Sequence, residues 1–90
     1  MTDPTELKDT VEDMLSDDPK RRLVAEFDQL FIRYGKLREF LKKYEPEDED
    51  CPVSEVEYEI MFLQMLVMQS YMWALGQRID MMNDACLENK

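Results

Sequence analysis

The apolar residues of this chain recur at helical intervals in three separate stretches. In the first, Leu7, Val11, Met14 and Leu15 fall on one face behind a start signal, with Asp3 suited to an N-cap, Pro4 to the first helical position and Glu6 three residues after the cap. The spacing predicts a short amphipathic helix within residues 1–18. The second stretch opens on Asp18 and Pro19, the same device. It continues through Leu23, Phe27, Leu30, Tyr34, Leu37, Leu41 and Tyr44 at alternating spacings of four and three, a heptad seam that Val24 and Phe31 widen. A helix over 19–44 follows. Gly35 lies on its far face and costs it about 1 kcal/mol relative to alanine; close packing and simple tolerance both account for it at this stage.

Residues 45–53, "EPEDEDCPV", hold two prolines, five acids and no apolar run, and predict a turn. A third helix is predicted over 54–88, with Ser54 as N-cap, Glu57 reaching back to it and Val53 stapling onto Tyr58. Its seam is Tyr58, Met61, Met65, Met68, Met72, Leu75, Ile79 and Met82. Phe62, Leu66 and Trp73 lie on one flank, and Ile60, Leu63, Val67 and Ala74 on the other. From Ile60 to Leu75, "IMFLQMLVMQSYMWAL", sixteen positions pass without a charge. A membrane span needs about 20 apolar residues, and this run contains Gln64, Gln69 and Ser70 and begins after Glu59, so no membrane role is expected.

A short linker between two long helices implies an antiparallel hairpin, in which the second helix covers about one third of the third. The rest exceeds the apolar patch a soluble monomer usually exposes. The sequence therefore predicts a single all-α domain over residues 1–90: a short N-terminal helix, then a long antiparallel helical hairpin, assembling into a helical-bundle homo-oligomer of even number. Met61, Met65, Met68, Met72, Trp73, Leu75 and Ile79 are the expected oligomer interface.

Charge changes the picture by its segregation. The 90 residues carry a net charge of -10, distributed as -6 over 1–18, +5 over 19–44, -8 over 45–59 and -1 over 60–90. General nucleic-acid binding is disfavoured by that balance. The polar, acidic first residues lack a secretory signal, and the two cysteines, Cys51 and Cys86, are expected as free thiols in a reducing setting.

Candidate chemistry is sparse. The chain has no histidine, which excludes a Ser-His or Cys-His nucleophile. Two distant cysteines do not make a zinc site, and the acidic turn lacks EF-hand spacing. No catalysis, metal or cofactor is expected. The acids Glu55, Glu57 and Glu59 suit the positive end of a helix. The basic second helix is the remaining signal. Arg21 and Arg22 are expected opposite Asp80 and Asp84, and the lysines near Tyr44 opposite the acidic turn. Alternatively Arg33, Lys36 and Arg38 line up at a chain interface beside Tyr34, an anion pocket with an aromatic floor.

The stretch "LVAEFDQLFIRYGKLREFL", an acidic turn and "LQMLVMQSYMWALGQRI" together resemble the crAssphage-related family of small phage helical-hairpin proteins, over residues 23–79. Glu26, Leu30, Arg33, Lys36, Leu37, Phe40 and Leu41 match the first-helix motif. Gln64 or Gln69, Met68, Tyr71, Leu75, Arg78 and Ile79 match the second. The resemblance implies a phage origin, a host-cytoplasmic setting and no catalysis. By looser architectural likeness, small oligomeric phage hairpins include the anti-CBASS sponges that trap cyclic nucleotides. The expected function is counter-defence by binding, with Arg33, Tyr34, Lys36 and Arg38 holding a small anionic cyclic nucleotide. The alternatives are a nucleic-acid-mimicking decoy, in which Glu47, Asp48, Glu49, Asp50 and Glu55 engage a basic host protein such as a Cas effector, and a helical assembly adaptor.

Overall fold

The computed structural model describes residues 6–88, with side chains through Asp84. Asp3 and Pro4 lie outside the described residues. Within them every regular element is helical: a 3-10 turn at Leu7–Thr10 leading into α1 (Val11–Met14), then α2 (Pro19–Lys43) and α3 (Glu55–Glu88).

The helix starts follow from local chemistry. The Asp18 carboxylate accepts from the Lys20 N–H at 3.0 Å with Pro19 in the first turn of α2, satisfying one of the donors a helix start leaves open. Ser54 Oγ accepts from the Glu57 N–H at 3.1 Å, which does the same for α3. At the other end of α2 the chain turns extended at Tyr44, with Lys42 and Lys43 in the last turn, where cations suit the helix dipole. The Tyr58 hydroxyl reaches back from α3 to the carbonyls of Leu41 at 2.8 Å and Tyr44 at 2.9 Å. It thereby covers acceptors that the end of α2 leaves unpaired.

The acidic linker folds itself. Glu45 N–H donates to the Asp48 carboxylate at 2.9 Å, Asp48 N–H to the Glu45 carbonyl at 3.1 Å and Cys51 N–H to the Asp48 carbonyl at 3.1 Å. These two tight turns reverse the chain, and α3 runs back along α2. The antiparallel order shows in the contacts: Tyr58 meets Leu41 and Tyr44, Gln69 meets Tyr34, and Tyr71 meets Glu26. At ~1.5 Å per residue, the 34 residues of α3 extend beyond the 25 of α2 by about 13 Å. The molecule is a rod of 58 × 23 × 18 Å.

The core is thin. Leu23, Met68 and Leu75 are buried along the seam between α2 and α3, with Ala25 and Ile32 buried on a second row of α2. The N-terminal segment lies on that second row, tied by Gln29 Nε2 donating to Thr10 Oγ1 at 2.9 Å. Gln29 also contacts the Met14 sulfur. Here the expected apolar face is not the one that packs. Thr10 is 2% exposed, its hydroxyl donating to the Leu7 carbonyl at 2.7 Å, whereas Leu15 is 79% exposed. The physical reason is the 3-10 turn: at about three residues per turn it moves Thr10 under Leu7 and takes Val11 and Leu15 off the contact.

The expected pairing of Arg21 and Arg22 with Asp80 and Asp84 also gives way to this segment. Arg21 donates through Nε at 2.9 Å and Nη2 at 2.6 Å to Asp13, and Arg22 Nη1 donates to the Ser16 carbonyl at 2.9 Å. The Asp13 carboxylate raises the Arg21 pKa above its ordinary value, by hydrogen bonding first and by charge second.

Candidate functional site

An open groove runs between the C-terminal half of α2 and the N-terminal half of α3. Tyr34, Arg38, Leu41 and Lys42 line one bank; Tyr58, Phe62, Met65 and Gln69 line the other, around a cavity of ≈ 340 Å³. The helical repeat explains the choice: Tyr34, Arg38 and Lys42 recur at four along α2, with Leu41 three after Arg38, and Tyr58, Phe62, Met65 and Gln69 recur at four, three and four along α3. The antiparallel turn brings the two rows level.

Three hydrogen bonds fix two of the aromatic groups. Gln69 Nε2 donates to the Tyr34 hydroxyl at 2.7 Å, and Tyr58 is held by the two carbonyls at the end of α2. Next to it, Lys43 stands 5.3 Å from the Tyr44 ring centroid, and the Phe40 and Tyr44 rings lie 5.0 Å apart. Among the described residues neither Arg38 nor Lys42 is held in an ion pair. The groove thus offers aromatic and aliphatic faces below two exposed cations. That combination suits a flat ring carrying a negative group.

Of the four residues singled out on the basic helix, the structure brings Tyr34 and Arg38 together. Arg33 and Lys36 are exposed and do not line the groove. Lys42 joins Tyr34 and Arg38 as the next turn of α2, and Tyr58, Phe62, Met65 and Gln69 join through the antiparallel hairpin register. The acids Glu47, Asp48, Glu49, Asp50 and Glu55 are all exposed. No group of three or more His, Cys, Asp or Glu side chains able to hold a metal ion occurs among the described residues. No helix there is long and apolar enough to cross a membrane.

The residues expected at an oligomer interface divide. Met68 is 9% and Leu75 1% exposed within a single chain, and Met61, Met65, Met72 and Ile79 are half-buried on the same seam facing α2. Trp73 is 69% exposed. A second apolar cavity, ≈ 370 Å³, opens beside the groove between Pro46, Tyr58, Glu59, Phe62 and Leu63. On the far side of the hairpin the Tyr71 hydroxyl bonds the Glu26 carboxylate. That bond, then desolvation, raises the Tyr71 pKa above its ordinary value, against a smaller opposing effect of Arg78.

Fold and groove together define a class: an all-α hairpin with a polar-aromatic groove between its helices. The chain belongs to the Sequestin family, whose model matches residues 17–81. That span contains α2, the turn, most of α3 and every residue of the groove. It also contains the 23–79 stretch that resembles the crAssphage-related hairpin proteins, although the matching family is described as Sequestin alone. No curated protein and no solved structure matches the chain.

Proposed function

We propose that this protein is a non-enzymatic sequestering protein that holds a small anionic nucleotide, most concretely a cyclic nucleotide signal of bacterial antiviral defence, in the groove between α2 and α3. The reading includes a phage origin and action in the host cytoplasm. The observation that carries it is the pairing of exposed Arg38 and Lys42 with the Tyr34, Tyr58 and Phe62 rings around one cavity. A base stacking on an aromatic side chain contributes about 1–3 kcal/mol, and a guanidinium meeting a phosphate adds a charge-assisted bond. The family name speaks of sequestration, which agrees with binding as the whole activity. A cavity of ≈ 340 Å³ lies at the lower end for small-molecule sites, so one groove suits one nucleotide unit.

Calorimetric titration with cyclic di- and trinucleotides tests this reading. We expect binding by the parent chain and loss of about tenfold or more in affinity for Arg38→Ala combined with Lys42→Ala, with helix content unchanged. Absence of binding to every cyclic nucleotide by the intact protein sinks it.

A second reading rests on the exposed acids of the turn, Glu47, Asp48, Glu49 and Asp50, with Glu55 at the start of α3. As a decoy these would engage a basic, nucleic-acid-binding host protein such as a Cas effector. Such binding is expected to weaken steeply with salt and to survive the Arg38 and Lys42 substitutions, which separates it from sequestration. An adaptor docking another helix is a third reading; it requires a helical partner on α3 and is insensitive to both charge sets.

A further inference from the structure

The face of α3 turned away from α2 is apolar along its length. Val56, Ile60, Leu63, Leu66, Val67, Trp73 and Met81 are all large and exposed on it, from 42% at Leu66 to 69% at Trp73 and Met81, and exposed Phe62 and Tyr71 stand at its two borders with α2. Together they leave on the order of 1,000 Å² in water, comparable with the roughly 800 Å² per partner of a standard stable interface. The middle of this face keeps strict spacing: Val56, Ile60, Leu63, Val67, Ser70, Ala74, Gln77 and Met81, alternately four and three apart. That is a second heptad seam, behind the first.

We propose that this seam is a two-fold interface with a second copy of the chain, the two α3 helices antiparallel and centred between Val67 and Ser70. Self-association belongs to the sequestration reading, and what is assigned here is its face, direction and register. Three features fix them. First, side-chain sizes complement one another in this direction: Val67 meets Ser70 of the second copy, Leu63 meets Ala74, Val56 meets Met81, and Ile60 meets the aliphatic part of Gln77. A parallel pair would set Ser70 on Ser70 and Ala74 on Ala74, leaving the middle of the seam underfilled.

Second, charge agrees. A parallel pair aligns Glu55, Glu57 and Glu59 of both copies. The antiparallel pair separates those acidic ends and sets each beside Arg78, Asp80 and Asp84 of the other copy, so like charge is spread over both ends of the pair rather than gathered at one. Antiparallel helix dipoles also attract.

Third, the register supplies an occupant for the apolar cavity. A two-fold axis of this kind keeps each flank of α3 on its own side. Trp73 shares a flank with Phe62, Leu66 and Glu59 at helical spacing. Trp73 of the second copy therefore reaches the mouth lined by Pro46, Glu59, Phe62 and Leu63. Phe62 lines both this cavity and the groove, so each groove lies beside the seam, with an indole of the second copy as its neighbour.

Sedimentation over the micromolar range tests the face. The parent is expected at twice its 10.8 kDa and Val67→Glu at the single-chain mass, both equally helical, since Val67 is 67% exposed in one chain. A single-chain mass for the parent throughout overturns the proposal, as does a Val67→Glu variant that still pairs. Direction is read by cross-linking in a Cys51→Ser, Cys86→Ser background, which removes the chain's two native thiols. Leu63→Cys chains should cross-link to Ala74→Cys chains and not to themselves; self-linking of Leu63→Cys would mean a parallel pair and overturn the register. Trp73 is the only tryptophan, and its emission should shift to the blue as the parent associates. An unchanged emission on association overturns the placement of Trp73. None of these readouts contains a nucleotide, so their failure and the failure of the titrations above are told apart.

Discussion

The two faces of α3 carry the same pattern and meet different fates. Along one, Met61, Met65, Met68, Met72, Leu75 and Ile79 recur at heptad spacing, and the structure buries or half-buries each of them against α2. Along the other, Val56, Ile60, Leu63 and Val67 recur at the same spacing and stay in water. The first face is flexible methionine, which moulds itself to the mixed Leu, Phe and Tyr surface of α2. The second is mostly branched aliphatic, with Ser70 and Ala74 further along, and side chains of few rotamers suit a fixed geometry. Heptad spacing therefore marks a surface as a helix-packing face without saying whose helix will cover it.

The largest test of that difference is a charge placed on each face. Met68→Glu puts an unpartnered carboxylate at a site 9% exposed and is expected to cost several kcal/mol, abolishing the cooperative melt in circular dichroism. Val67→Glu, its neighbour by one residue, is expected to keep the monomer folded. If the two variants melt alike, the two faces are not distinct.

Truncation gives a smaller, graded version. Leu75→Ala at 1% exposure should lower stability by about 3 kcal/mol in urea titration. Val67→Ala should cost no more than about 0.5 kcal/mol in dilute protein, and more as concentration rises if the outer seam pairs. A stability of Val67→Ala independent of concentration would count against that pairing.

The glycines sharpen the picture by about 1 kcal/mol each. A Cβ on Gly35 meets nothing within 4 Å, and one on Gly76 meets the Phe27 ring at 4.0 Å, ordinary contact. Both alanine variants are expected to raise the melting midpoint. A loss at Gly76 alone would mean that the inner seam is packed more tightly than its contacts indicate.

The smallest effect lies at the border of the two faces. The Tyr71 pKa is raised by its bond to Glu26. A raised pKa contributes stability in full below the ordinary tyrosine value of about 10, and that contribution is lost as pH climbs through the shifted value. Melting scans from about pH 8 to 11 should show a steeper alkaline decline for the parent than for Tyr71→Phe. Parallel declines would mean the bond is not kept in solution.

Much of the fold was legible in the residues themselves. Asp18-Pro19 and Ser54 start the two long helices where expected, because caps depend on neighbours within three positions. The seam of α2 was equally plain. The N-terminal segment misled, since a 3-10 turn breaks the 3.6-residue period on which the apolar face was read. The role of Gly35 was open in the sequence and is decided by empty space around it. Tyr34 and Arg38 were visible as an aromatic beside a cation, with Lys42 one turn further along the same helix, whereas Tyr58, Phe62 and Gln69 were not, because they belong to the site only through a partner helix 14 to 35 residues away in sequence.

Sequence alone thus determined which segments are helical, where they start and stop, and that α3 has more apolar surface than one neighbour can cover. These are short-range or additive properties: hydrogen bonding of helix ends, periodicity and summed hydrophobic area. Only the tertiary structure decided which face of α3 meets α2, that Arg21 and Arg22 turn to the N-terminal segment, and that Arg38 and Lys42 share a groove with Tyr58 and Phe62. Those depend on the rotation and register of one helix against another, which two turns around Asp48 and the fit of side chains set jointly, and which neither helix encodes by itself.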